Sequence, residues 1–134
     1  MPFFFDPKTA CGEKCRAYFA EQEESMRALL LYPEFPPSLW SFENILELVG
    51  RKVLFPPLGL ATVAALLPAS WEIKLVDCNI RRPTEEEWEW AQLVMISGML
   101  AQKNSLLAAI REAKRRGKAV AVGGPYATAL PDEP

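Results

Sequence analysis

Two short runs of small residues are the first candidates for chemistry in this chain: Ser97-Gly98-Met99 and Gly123-Gly124-Pro125-Tyr126-Ala127-Thr128. Each follows a hydrophobic run. Glycine removes the Cβ, so a ligand can approach the backbone and bond to its N–H groups, while Ser97 and Thr128 add hydroxyls. Gly123-Gly124 would equally serve as a plain turn after a strand, and both readings stand on the residues. Asp77-Cys78-Asn79 closes another apolar run. Asp77 is of the type that holds a ribose hydroxyl, but no GxGxxG precedes it, and a strand-end hydrogen bond to backbone is the simpler reading. Tyr32-Pro33-Glu34-Phe35-Pro36-Pro37 contains no glycine fingerprint, no phosphate-binding lysine and no acidic pair. That argues against a dinucleotide site, an NTPase and a phosphoreceiver domain.

None of the 134 residues is histidine. Ser-His-Asp and Cys-His nucleophile pairs, imidazole-ligated zinc or haem and imidazole pH switches are therefore excluded. Chemistry at these loops needs a cofactor or a partner domain. With 15 Lys and Arg against 17 Asp and Glu, a net charge of −2, there is no broad basic field for phosphate backbones, so no nucleic-acid partner is expected. Cys11, Cys15 and Cys78 cannot pair completely, and the chain has neither a signal-peptide core nor a run of about 20 apolar residues. The expectation is a cytoplasmic protein with no membrane span.

Elements must bring those loops together. The runs Ala28 to Tyr32, Ile73 to Val76, Leu93 to Ile96 and Ala119 to Val122 are almost continuously apolar, the pattern of strands buried on both faces. Between them, Ser41 to Val49 reads as a helix with Ser41 as N-cap and Gly50 just past its end. Leu58 to Leu67, apolar nearly all round, predicts a buried helix ended by Pro68. Thr84-Glu85-Glu86-Glu87 fits a capping box. Ser105 to Arg116 is amphipathic, with Leu106, Ile110 and Ala113 on one face, and a basic end read as a solvated terminus before Gly117. Helices between successive hydrophobic strands imply right-handed crossovers, hence an α/β doubly wound parallel sheet. Trp71, Trp88 and Trp90 are expected to pack in the core or at its edge, and Trp40 to pack a helix onto the sheet or cover a partner. Residues 1–25 read as an extension, with a marginal helix near Cys15, Tyr18 and Phe19, and residues 26–134 as the domain. Only four strands are present, so the expectation is a domain truncated at its C-terminus with one sheet edge open.

The ordered set Arg27-Ala28-Leu29-Leu30-Leu31-Tyr32-Pro33, Phe55-Pro56-Pro57-Leu58-Gly59-Leu60, Val76-Asp77, Ile96-Ser97-Gly98-Met99 and Gly123-Gly124-Pro125-Tyr126-Ala127-Thr128 resembles the N-terminal cobalamin-binding domain of B12-dependent radical SAM proteins. The resemblance covers roughly residues 26–130. It implies a flavodoxin-like, Rossmann-like sheet of order 2-1-3-4, with the family's fifth strand missing. It also implies a corrin lying across the carboxyl ends of the strands, with its nucleotide tail in a slot beside the glycine pair. By position, Ser97 and Gly98 would line that slot, Gly123 and Gly124 would let the tail pass, and Tyr32, Pro33, Glu34 and the loop on to Pro37 would face the corrin; Met99, Pro125 and Thr128 are expected to bind the cofactor with them.

Two motifs of the wider families do not occur. The DxHxxG loop is missing, so the resemblance implies cobalamin held base-off and without a histidine ligand. The CxxxCxxC motif of a [4Fe–4S] cluster is also missing: Cys11 and Cys15 have its first spacing, but Tyr18 stands where the third cysteine would be. S-adenosylmethionine and the cluster would then belong to a radical SAM catalytic domain downstream, a methyltransferase for which this module is the non-catalytic cofactor carrier. The alternative is a cofactor-free flavodoxin-like domain used for docking or for homodimerisation through the open sheet edge. A third reading uses the crevice for a nucleotide.

Overall fold

The computed structural model describes residues 25–37, 50 and 56–130. The expectations for residues 1–24, for Trp40 and for a helix over 41–49 lie outside them. Ala28 to Leu31 are apolar without interruption and at most 1 % exposed, which makes β1 (Arg27–Tyr32) the central strand. It pairs in parallel with β2 (Glu72–Asp77) on one side and β3 (Leu93–Ser97) on the other. β3 in turn pairs in parallel with β4 (Ala119–Gly123), giving the expected order β2-β1-β3-β4. Parallel neighbours need crossovers, and these are α1 (Leu58–Leu66), α2 (Glu85–Trp90) and α3 (Lys103–Arg115), the last entered through a 3₁₀ turn at Leu100–Gln102. A short α4 (Gly124–Ala129) follows β4.

Side chains alternate across β1, so its two faces serve two clusters. Leu29 and Leu31 meet Trp88, Leu106, Ile110, Ala113 and Tyr126, while Ala28 and Leu30 meet Leu60. Helices therefore cover both faces, as a doubly wound sheet requires. The capping box forms as the sequence predicts: Glu87 N donates to Thr84 Oγ1 at 3.2 Å, and Thr84 N donates to Glu87 Oε2 at 2.9 Å. α3 buries the predicted Leu106, Ile110 and Ala113 but begins two residues earlier than Ser105. Trp88 is core, while Trp71 and Trp90 pack partly against it.

Four expectations are corrected. α1 is not a buried helix, because Leu60 is its one buried residue while Leu58 and Leu66 are 68 % and 77 % exposed. One stripe of a helix reaches the sheet, and full burial needs a second layer. β2 and β4 are not buried on both faces, since the observed order puts them at the edges, where they are largely exposed or half-buried. Gly123-Gly124 is not a plain turn, because Gly124 opens a helix with Pro125 in its first turn, where the missing N–H costs no bond. Finally, the basic end of α3 is only partly solvated. Arg116 is drawn in, with Nε donating to Glu112 and its two amino groups donating to Glu85 at 2.6 and 2.8 Å, while its guanidinium lies over the Trp88 ring.

Candidate functional site

Register brings the strand ends into one row. Tyr32 stands opposite Asp77, Leu31 opposite Ile96, and Ser97 opposite Gly123, so Asp77, Tyr32, Ser97 and Gly123 cross the carboxyl edge of the sheet in that order. Three of these four are among the residues the sequence singled out for binding. Ligands of open parallel sheets sit beyond this edge, and the loops there decide what fits.

The loop after β1 is clamped from both sides. From the β2 end, Asn79 Nδ2 donates to the Pro33 carbonyl oxygen at 3.3 Å, and Asn79 Oδ1 accepts from Phe35 N at 2.8 Å. From the start of α3, Gln102 Nε2 also donates to the Pro33 oxygen, and Ser105 Oγ donates to the Glu34 carbonyl oxygen at 2.6 Å. Gln102 Oε1 accepts from Met99 N at 2.8 Å, which joins the loop after β3 to the same clamp. Pro33 is thereby buried and Glu34 exposed at the rim, and the Tyr32 ring meets Phe35 edge-on at 5.9 Å. Burial, then the negative charge of Asp77, raise the Tyr32 phenol above its ordinary range, against a hydrogen bond with Gln102 that lowers it. Asn79, Gln102 and Ser105 escaped the sequence reading. The available signal was Gln102, a polar residue one turn before Leu106 on the apolar face of α3.

The glycines divide into two kinds. Gly124 has φ +85°, and a Cβ there would lie 2.4 Å from Ser97 Oγ and 3.3 Å from the Gly98 backbone. At Gly98 a Cβ would lie 2.9 Å from Leu106 Cδ1 and 3.5 Å from Pro33 Cγ. Gly98 thus makes room for the Leu106 and Pro33 side chains, and Gly124 lets its backbone pack on that of Gly98, tied by Tyr126 N donating to the Gly98 oxygen at 3.1 Å with the Tyr126 ring fully buried. Gly123 is different, because a Cβ there meets nothing within 4 Å. The space next to the backbone is thus at Gly123. Thr128 points back into its own helix, its hydroxyl donating to the Gly124 oxygen at 3.1 Å, while Pro125 and Met99 are exposed.

At the other end of the row Asp77 is 7 % exposed. Its Oδ1 accepts from Asn79 N at 2.9 Å and from Asn79 Nδ2 at 2.7 Å, the strand-end bond expected from the sequence. Its Oδ2 is buried with no hydrogen-bond partner among the described residues. An oxygen left so costs about 1–3 kcal/mol or more when charged, which marks it as a place where a donor belongs. Asp77 also lines a cleft of about 280 Å³ with Pro56, Pro57, Leu75, Val76, Ile80 and Arg81. Beside it, burial first and then the charges of Asp77 and Glu34 push the Cys78 thiol up to about 11, so it stays protonated at neutral pH. No group of three His, Cys, Asp or Glu side chains placed to hold a metal occurs among the described residues, and no described helix is long and apolar enough to cross a membrane.

A family model for the B12 binding domain matches residues 48–133, well over half of the chain. An uncharacterized methyltransferase of Synechocystis sp. is 65 % identical over 108 residues, 81 % of this chain and 20 % of that protein. The hopanoid C-2 methylase of Rhodopseudomonas palustris is 36 % identical over 111 residues, 82 % of this chain and 21 % of that protein. The chain therefore spans about a fifth of the length of these curated relatives. No solved structure matches it.

Proposed function

From the premise that this chain belongs to the B12-binding domain family, we propose that it carries cobalamin across the row Asp77, Tyr32, Ser97 and Gly123, as the cofactor module of a B12-dependent radical SAM methyltransferase. The observation that carries this reading is the open backbone at Gly123 beside the tightly packed Gly98 and Gly124. Open space beside β4 there gives a nucleotide tail room to lie against the packed backbone of Gly98 and Gly124. When bound, cobalamin supplies a cobalt centre that accepts and hands on a methyl group.

The chain's own residues then bind and orient. Asn79, Gln102 and Ser105 hold the 33–35 loop as a preformed rim, so little ordering is left for the moment of binding. Tyr32, Pro33 and Glu34 face the ring, while the tail lies at the open Gly123 between Ser97, Met99 and Pro125, on a floor made by the packed Gly98 and Gly124. The chain contains no histidine, so its own residues would offer a bound cobalt no imidazole. S-adenosylmethionine, a [4Fe–4S] cluster and the methyl acceptor would belong to a catalytic region outside this chain, for which the greater length of the relatives leaves room.

Titration of the chain with hydroxocobalamin, followed by its visible spectrum and by co-elution, tests this. Binding with a Kd below about 100 μM is expected. Gly123→Leu should fold with an unchanged melting profile and lose at least about tenfold in affinity, since its side chain would enter that open space. A flat titration of the natural chain would favour the cofactor-free docking domain instead.

A further inference from the structure

We infer that Asp77 is the acceptor for a neutral N–H donor on the ligand's rim, a carboxamide seated in the cleft at the end of β2. The inference rests on the cobalamin reading above and adds to it a residue and the chemistry that residue recognises. Two independent observations meet here. Asp77 Oδ2 is buried without a partner although Oδ1 is doubly satisfied, so the side chain is held with one oxygen in reserve. The same residue lines a cleft whose other walls are mostly apolar, formed by Pro56, Pro57, Leu75, Val76 and Ile80.

The composition of the cleft selects the donor. Arg81, the basic residue on its wall, is committed to Glu87 through two bonds of 2.8 and 2.6 Å and leaves Asp77 without a counter-charge. A metal ion would ask for more carboxylates than the described residues offer. What fits is an apolar body that carries N–H groups at its edge, so that the body covers proline and aliphatic surface while one N–H reaches the oxygen. A corrin ring bordered by carboxamide arms has that form. Oδ2 is closed off from solvent, and Ile80, 50 % exposed and lining the same cleft, is the side chain free to shift as the arm enters. The position in the row matters as well: Asp77 and Gly123 lie at opposite ends, so a ligand with its tail at Gly123 presents its ring, not its nucleotide, to Asp77.

The test compares the natural chain with Asp77→Asn in titrations with hydroxocobalamin and with cobinamide, which keeps the ring carboxamides and lacks the nucleotide. Asparagine preserves the acceptor that Asn79 uses and replaces the reserved oxygen with a donor. The melting temperature of the ligand-free variant should be equal or higher, while its affinity for both corrinoids falls about tenfold or more, as expected for a hydrogen bond to a charged group. Equal affinity of the two chains overturns the inference and leaves cobalamin binding standing. A penalty seen with hydroxocobalamin but absent with cobinamide also overturns it, because Asp77 would then be reading the tail. Failure of the natural chain to bind either corrinoid removes the functional reading and this inference together. Should the variant not fold, the ¹³C resonance of the Asp77 carboxyl in the natural chain decides: it should shift on saturation with cobinamide, and an unmoved resonance refutes the contact.

Discussion

Gly98, Gly123 and Gly124 share a residue type and a neighbourhood, and the structure gives them different physical duties. Gly124 combines a positive φ with a Cβ position 2.4 Å from Ser97 Oγ, so Gly124→Ala must strain the backbone and displace β3's end at once. A loss of about 2–4 kcal/mol in urea denaturation is expected. Gly98→Ala meets the flexible end of Leu106 at 2.9 Å and should cost only about 1 kcal/mol, while Gly123→Ala, with nothing in its way, should stay within about 0.5 kcal/mol. If Gly123→Ala were the most damaging of the three, the division of the glycines into packing and open positions would be wrong. Asp77 shows the same lesson in polar form, since one of its oxygens builds the strand end and the other has no structural task.

Elements here are joined by charge as well as by core. α2 is one and a half turns long, too short to persist alone, and is pinned by its capping box, by Trp88 in the core and by two arginines reaching in from outside. Arg81, with its paired hydrogen bonds, is the largest cause holding the Glu87 carboxyl down to about 2, and the Thr84 N–H assists. In the unfolded chain that carboxyl titrates near its ordinary value of about 4.5, so the stability it contributes is complete above that pH and drains away as pH falls toward about 2. Glu112, held at about 2 by Arg115 and then Arg116, acts in the same direction. Melting temperatures measured from about pH 6 down to about pH 2.5 should therefore decline, and Glu87→Gln should begin lower at pH 6 and decline less steeply. Parallel slopes for the two chains would show that the Arg81 pair carries none of the effect.

For the whole molecule, the described residues cover the two faces of the sheet unequally. The face toward α2, α3 and α4 buries a large cluster, whereas α1 contributes Leu60 and leaves Leu58 and Leu66 outside. Leu66→Glu should accordingly change stability by less than about 0.5 kcal/mol, against about 2–4 kcal/mol for Leu60→Ala, both read from urea midpoints. A large loss from Leu66→Glu would mean that α1's outer face is covered in solution.

That the sheet is parallel was legible in the sequence because helical segments separate its four apolar runs, while its order was implied only by the family resemblance; the capping box and the Leu106, Ile110 and Ala113 stripe were legible because they depend on spacing along one element. The strand ends could be named as the binding edge for the same reason. Burial of α1, the Asn79 and Gln102 clamp and the helix at Gly124 were not, since each is settled by what another element brings alongside. The amino-acid order determined on its own the absence of imidazole, the crossover pattern and the small residues at the third and fourth strand tips. Only the folded chain decided which glycine leaves open space and which carboxylate oxygen goes unpaired, because those are distances between segments far apart in sequence, and periodicity within a segment carries no information about them.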